Sequence, residues 1–146
     1  MLNAKKRQHV IELCKQRKVR MTAQRMQVLE LIWQKKAAVT AYELLDLLKQ
    51  TEPHAKPPTV YRALDFLLEQ GFIHRVESNN SFISCCSFDE DKHFSHLLIC
   101  DSCGEVTEIQ DKALLDLLNQ HLKQQHFHLS SHVIETHGKC HQCCHH

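Results

Sequence analysis

Apolar residues recur at intervals of three and four along the first half of the chain, and this spacing predicts amphipathic helices. Thr22 and Thr40 are suited to N-cap the second and third helices, and Glu43 completes a capping box with Thr40. Pro57 favours the start of the fourth helix and Gly71 favours its end. The predicted helices run from Lys5 to about Arg17 and over residues 20–34, 40–50 and 56–71.

Two short runs of β-type composition follow the fourth helix. "FIHRV" (72–76) and "SFISC" (81–85) flank the polar turn "ESNNS", which predicts a β-hairpin. Helices followed by a small hairpin form the pattern of a winged helix-turn-helix. Residues 1–86 are therefore predicted to be one winged-helix domain.

The pattern changes after Cys86. The acidic segment "FDEDKHFS" (88–95) separates the first module from the rest, and residues 87–94 are predicted to be a hinge. Residues 95–146 are predicted to be a small α/β domain, which makes the whole chain α+β. The segments that predict its strands and helix are "HLLIC" (96–100), "EVTEI" (105–109), residues 111–125 for the helix and residues 128–138 for a third strand.

Charge is unevenly distributed, although the formal net charge is only +1. Residues 1–80 hold 14 Lys and Arg against 8 Asp and Glu, whereas residues 81–146 hold 4 against 9. Seven of the eight cysteines and eleven of the thirteen histidines lie at or after His74. The first module is therefore suited to a polyanion and the second to a cation.

The first residues, "MLNAKKRQHV", lack the apolar stretch of a secretory signal, and no apolar run is long enough to span a membrane. The sequence thus predicts a cytoplasmic protein. Thiols stay reduced in that compartment, so paired cysteines indicate metal binding or catalysis more than disulfides.

The fourth predicted helix combines an apolar face with an exposed polar face. In helix-turn-helix proteins the N-terminal part of the second helix meets base edges in the major groove, and Arg62 is suited to a guanine or a phosphate. A solvated face is the alternative for a Tyr-Arg pair taken alone, but the basic first half, the helix order and the hairpin favour DNA binding. The residues predicted to contact DNA are Lys56, Thr59, Tyr61, Arg62, Arg20 and Arg25.

Two CxxC pairs lie nearly forty residues apart in the second module. Two such turns supply four thiolates for one tetrahedral, closed zinc site. A redox dithiol and idle cysteines are the alternatives, but neither pair is predicted to open a helix after a strand, as a redox motif requires. The sequence therefore predicts a structural Zn²⁺ held by Cys100, Cys103, Cys140 and Cys143, with Gly104 able to take a positive φ.

Further potential ligands remain once these four are set aside. A site of mixed nitrogen, sulfur and oxygen donors suits Zn²⁺, and thiolate argues against Mg²⁺ or Mn²⁺. Spacing alone does not show which four of the eight candidates would bind the ion. For any single histidine, the alternative to metal binding is a position on the surface or in the core. The candidates are His74, Cys85, Cys86, His93, His96, Glu108, His132 and His137.

The stretches "KPPTVYRALDFLLEQGF", "ICDSCG" and "HGKCHQC", together with the residues between them, resemble the ferric uptake regulator family of bacterial metal-dependent repressors. The resemblance runs from about Cys14 to Cys143. "HFSH" (93–96) lacks the aspartate of the iron sensors, and Cys85 stands where those more often carry a carboxylate. Both departures indicate the zinc-sensing branch, whereas His96 matches an iron-sensor ligand.

The resemblance implies a homodimer in which the second domain dimerises. It implies that the zinc-loaded dimer binds double-stranded operator DNA and represses zinc-uptake genes, with two Zn²⁺ per monomer. It assigns the structural zinc to the four CxxC cysteines and the regulatory zinc to His74, Cys85, His93 and Glu108.

Three other classes of protein are alternatives. A zinc enzyme is disfavoured, because neither the deaminase signature nor H-E-x-x-H occurs and only three glycines are available for a phosphate loop. A repressor of the same fold that senses iron, manganese or peroxide is the second alternative. A zinc-stapled interaction module that never binds DNA is the third.

Overall fold

The structure is a computed structural model that describes residues 2–86, 88, 94–130 and 132–145. The chain divides into two compact units, of which the first comprises Met1–Lys35 and Val39–Asp89 and the second Lys36–Ala38 and Glu90–His146. Most of the predicted hinge lies outside the described residues, so the boundaries 1–86, 87–94 and 95–146 stay predictions.

The first unit contains the four predicted helices and the predicted hairpin. Thr22 caps α2 by accepting a hydrogen bond from the Arg25 N–H at 3.2 Å, and Thr40 caps α3 by accepting one from the Glu43 N–H at 3.1 Å. Gly71 follows α4 with a φ of 75°, a conformation that glycine adopts without strain. The elements are α1 (Leu2–Gln16), α2 (Ala23–Trp33), β1 (Val39–Thr40), α3 (Ala41–Lys49), α4 (Pro57–Glu69), β2 (Ile73–Val76) and β3 (Ser81–Ser84).

Strand β1 was not predicted. It pairs antiparallel with β3, through Val39 opposite Phe82, and makes the hairpin a three-stranded sheet in the order β1-β3-β2. Two residues are too few for an alternating pattern, because this strand depends on a partner more than forty positions away. The core of the unit lies between the sheet and the helices, and its least exposed large side chains include Leu29, Ile32, Leu44, Leu48, Leu64, Leu67 and Phe72.

The second unit follows the predicted order of two strands, a helix and a third strand. β4 lies in the middle of a three-stranded sheet, antiparallel to β5 and parallel to β6. Helix α5 has no buried residue, and Leu114 and Leu117 are 43% and 52% exposed. The elements are β4 (Ser95–Cys100), β5 (Val106–Ile109), α5 (Lys112–Gln124), β6 (Val133–Gly138) and α6 (His141–Cys144). The short helix α6 was not predicted, and its N-cap is Cys140, so the expectation that neither CxxC pair opens a helix after a strand was wrong for the second pair.

Among the described helices, none combines the length and the apolar composition that a membrane crossing needs.

Candidate metal centres and nucleic-acid interface

The four predicted structural ligands come together in the second unit. One sulfur atom from each of Cys100, Cys103, Cys140 and Cys143 lies within 4.8 Å of the others, and the Cys103 and Cys140 sulfurs are 3.7 Å apart. Four thiolates around a tetrahedral Zn²⁺ at ~2.3 Å have sulfurs about 3.8 Å apart. The size and the donor set of this cluster, termed the four-cysteine cluster, therefore fit zinc.

The backbone explains why two distant CxxC pairs meet. Cys100 ends β4, and the next residues turn back with the Gly104 N–H donating to the Cys100 carbonyl at 2.9 Å. Gly104 has the predicted positive φ, at 76°. The parallel pairing of β4 with β6 ends at Cys100 opposite Gly138, so the chain leaving β6 brings Cys140 beside the first pair.

The electrostatics of the cluster favour a bound cation. The backbone N–H groups of Cys103 and then Cys140 hold the pKa of the Cys100 thiol well below its ordinary value, at about 6. The hydrogen bond with the Cys140 sulfur and then that with the Cys100 sulfur raise the pKa of Cys143 to about 12. Four thiolates this close repel one another, and a divalent cation among them removes that repulsion.

Two predicted regulatory ligands lie on the wing of the first unit. His74 is on β2, opposite Ile83 on β3. Cys85 follows β3 directly, is fully buried, and donates its N–H to the Phe72 carbonyl at 2.9 Å. Cys86 is exposed, so the two adjacent cysteines differ in burial as an extended chain requires.

In the second unit, Glu108 lies on β5 and is held by a neighbouring strand. The hydroxyl of Ser95 on β4, which is fully buried, donates to Glu108 Oε1 at 2.9 Å. Sequence reasoning missed Ser95, because the contact depends on the pairing of β4 with β5. The fourth predicted regulatory ligand, His93, lies outside the described residues.

The three rival histidines of the second unit have other partners. His96 Nε2 lies 2.6 Å from Thr136 Oγ1, and the ring of His132 lies 5.2 Å from that of Phe94. His137 lies between two carboxylates, with Nε2 3.0 Å from Glu135 and Nδ1 3.2 Å from Asp101. Hydrogen bonds to Glu135 and then to Asp101 raise the pKa of His137.

The polar face of α4 is exposed, as the helical wheel predicts. Tyr61 is 51% exposed and Arg62 is also exposed, while Val60, Leu64 and Leu67 are buried on the opposite side. Lys56 is the N-cap of α4 and Thr59 is half-buried in its first turn.

The two predicted arginines before and within α2 interact with each other. Arg25 donates from Nη1 to the Arg20 carbonyl, and its guanidinium lies 4.0 Å from the centroid of the Phe66 ring on α4. Stacking on Phe66 fixes the guanidinium beside α4. Arg20 is exposed.

One exposed aromatic residue was missed by the sequence analysis. Tyr42, in the first turn of α3, is 75% exposed. Tyr42 lies two residues after the Thr40 cap and off the buried stripe of α3, and this position could have predicted its exposure. The stripe consists of Ala41, Leu44, Leu45 and Leu48.

Comparison with known proteins places these features in a family. The model of the ferric uptake regulator family matches residues 16–137. The zinc uptake regulation protein of Escherichia coli (strain K12) is 49% identical over 132 residues, which cover 90% of this chain and 77% of that protein.

Solved structures agree. A zinc uptake regulator complexed with zinc and DNA has a TM-score of 0.92 at 46% identity, covering 99% of this chain and 97% of that one. The crystal structure of holo XcZur has a TM-score of 0.86 at 37% identity, covering 96% and 97%.

Proposed function

This chain belongs to the ferric uptake regulator family, and from that premise we propose that it is a zinc-dependent transcriptional repressor. The zinc-loaded homodimer binds operator DNA and represses zinc-uptake genes. The observation that supports this function most strongly is structural. Over 99% of its length, this chain is similar to a zinc uptake regulator complexed with zinc and DNA. The protein is a regulator and not an enzyme, and we place it in the cytoplasm, where operator DNA is found.

We assign a structural Zn²⁺ to the four-cysteine cluster. The sulfur positions and the N–H groups that stabilise the Cys100 thiolate support this assignment. Binding of this kind contributes ~10 kcal/mol or more to folding. The second unit needs such a contribution, because α5 has no buried residue in the single chain.

We assign a second, exchangeable Zn²⁺ to His74, Cys85, His93 and Glu108, which gives two ions per monomer. This set rests on its mixed donor chemistry and on the family resemblance. The contacts of His137 support it further, because both ring nitrogens of this rival ligand lie at hydrogen-bond distance from carboxylates. Thiolate and imidazole ligands must be deprotonated, so zinc affinity should weaken as pH falls.

DNA recognition is assigned to α4. Arg62 and Tyr61 meet the major groove, while Lys56, Thr59, Arg20 and Arg25 contact the phosphate backbone. The two protomers of the dimer present two copies of α4 to two half-sites. Ligation of the exchangeable ion favours the arrangement that binds DNA, and a coupling free energy of about 1–3 kcal/mol gives roughly 5–150-fold tighter operator binding.

The exposed leucine face of α5 supports the homodimer. Leu114 and Leu117 would remain in water in an isolated chain, and a second copy of the chain can cover them.

The function is tested by measuring zinc content and operator binding on the same protein samples. Zinc per monomer is measured before and after mild chelation, and operator affinity is measured across buffered free Zn²⁺. We expect one resistant and one removable zinc, with DNA binding lost on removal and restored by Zn²⁺. DNA binding that ignores Zn²⁺ but returns with Fe²⁺ or Mn²⁺ would instead identify a sister metal sensor.

A further inference from the structure

Helix α6 presents two histidines that neither zinc site uses. His141 is its first residue and His145 its C-cap, and their ring centroids are 4.7 Å apart at an interplanar angle of 72°. Both side chains are exposed. We propose that His141 and His145 form a third metal site, a bidentate and exchangeable site for a divalent transition-metal ion such as Zn²⁺.

The spacing of the pair sets its geometry. Residues four apart on a helix lie on the same face, one turn above each other, where two side chains can reach one ion. The two rings are in contact, so both side chains already lie together on that face.

The backbone that carries the pair is anchored. The Cys143 and Cys144 N–H groups donate to the Cys140 carbonyl at 3.0 and 2.9 Å, which closes the turn of α6. The Cys140 N–H donates to the Cys100 sulfur at 3.3 Å and ties the start of the helix to the four-cysteine cluster. Ordering the pair therefore costs little beyond the two side-chain rotamers.

The chemistry of the pair selects the class of ligand. Neutral imidazole suits Zn²⁺, Cu²⁺ and Ni²⁺ and does not suit Mg²⁺ or Ca²⁺. Two protein ligands leave the remaining coordination positions to water, so the ion exchanges readily. Cys144 is not included, because its sulfur is directed to the Lys139 carbonyl at 3.8 Å.

The experiment uses the full chain, first loaded with zinc at its two tighter sites. Further Zn²⁺ is then added against a weak competing chelator, and additional zinc per monomer is counted. Wild type is compared with His141→Asn/His145→Asn and with the control His126→Asn/His128→Asn. The control removes two exposed histidines of the same unit whose spacing of two residues does not place them on one helical face.

We expect wild type and the control to bind one additional zinc. The His141/His145 variant should bind it about 100-fold more weakly or not at all, since losing groups that merely orient ligands already costs 10–100-fold. Operator binding at the two-zinc stage should be the same in all three proteins, which separates this site from the proposed repressor function.

Two results would overturn the proposal: a wild type that binds no additional zinc, and a double variant that binds it as well as the control does. His145→Asn alone guards against a folding defect, because His145 lies outside the helix as its C-cap. That single variant should also lose the additional zinc while it retains the resistant zinc of the four-cysteine cluster.

Discussion

Arg62 is exposed in the N-terminal half of α4, on the face opposite the buried residues Val60, Leu64 and Leu67. A bidentate arginine contact to a base contributes about 1–3 kcal/mol of discrimination. We expect Arg62→Ala to lower operator affinity by roughly 5–150-fold without changing zinc content. Fluorescence anisotropy at fixed salt and buffered Zn²⁺ measures this.

The matched control for that variant is Arg7→Ala, because Arg7 is an exposed arginine of α1 whose partner is Glu30 at 3.4 Å. If Arg62→Ala and Arg7→Ala lowered operator affinity by the same small factor, the effect of Arg62 would come from net charge alone. Unchanged affinity for Arg62→Ala would remove this residue from the predicted interface.

Ser95 is a buried residue whose only polar side-chain atom is directed at a proposed zinc ligand, Glu108. Groups that orient metal ligands contribute 10–100-fold to metal affinity. We expect Ser95→Ala to weaken the removable zinc by about that factor, and Ser95→Thr to restore part of it. Competition with a chelator of known affinity measures the change.

Ser130→Ala, which removes an exposed hydroxyl in the same unit, is the control for Ser95. The resistant zinc should be unaffected in each variant. Removable zinc held equally well by Ser95→Ala and wild type would show that Glu108 is either not oriented by Ser95 or not a ligand.

Ser95 and the clustered cysteines differ in how far their roles can be predicted from the sequence. The cysteines of the four-cysteine cluster were predicted because the CxxC spacing itself brings two sulfurs to one ion. Ser95 was not predicted, because its relation to Glu108 depends on the register between β4 and β5, in which His96 is opposite Ile109 and Leu97 opposite Glu108. Local spacing carries no information on that register.

Between elements, the guanidinium of Arg17 connects three parts of the first unit. Arg17 follows α1 directly. Its guanidinium donates at 2.7 Å to the carbonyl of Gln70, which is the C-cap of α4, and at 3.1 Å to the carbonyl of Phe88. Phe88 in turn packs edge-on against Phe72, with ring centroids 5.6 Å apart. One side chain thus holds both the end of α4 and Phe88, which follows the hairpin.

Replacing Arg17 should destabilise the first unit. Hydrogen bonds from a charged group contribute about 1.5–3 kcal/mol each, and Arg17→Met leaves two carbonyls without this donor. We expect the free energy of unfolding to fall by about 2 kcal/mol or more in urea titrations at fixed zinc. Lys15→Met, an exposed residue of α1, is the control and should change stability by less than about 0.5 kcal/mol. Equal stability of both variants would contradict the role of Arg17.

Elements differ in how far the sequence predicts them. The helices of the first unit and the hairpin were predicted, because their apolar stripes, caps and turn residues act within a few positions. β1 was not, because Val39 is in a strand only by pairing with Phe82. α6 was not, because a four-residue helix of His, Gln and Cys has no apolar period, and its start is fixed by the bond from the Cys140 N–H to the Cys100 sulfur.

Across the whole molecule, the uneven distribution of charge in the sequence matches the two functions that we propose, DNA binding by the first unit and zinc binding by the residues that follow. The basic residues of the first 80 positions suit the DNA phosphates, and the thiols and imidazoles that follow suit zinc. Because phosphate contacts release counterions, operator affinity should fall steeply between 50 and 200 mM salt. A dimer whose affinity is independent of salt would contradict DNA binding through the predicted basic residues.

The four-cysteine cluster should control DNA binding from a unit that carries no predicted DNA contact. The second unit has a small core and an α5 without a buried residue, so losing the structural ion should unfold it, and the homodimer with it. We expect Cys140→Ser to lose the resistant zinc, to sediment as a monomer and to bind operator DNA weakly, although α4 is unchanged. Cys144→Ser, which removes an exposed thiol outside the cluster, should behave as wild type in zinc content, sedimentation and DNA binding. A Cys140→Ser protein that stayed dimeric and kept its zinc would show that the four sulfurs are close in space without holding an ion that the fold requires.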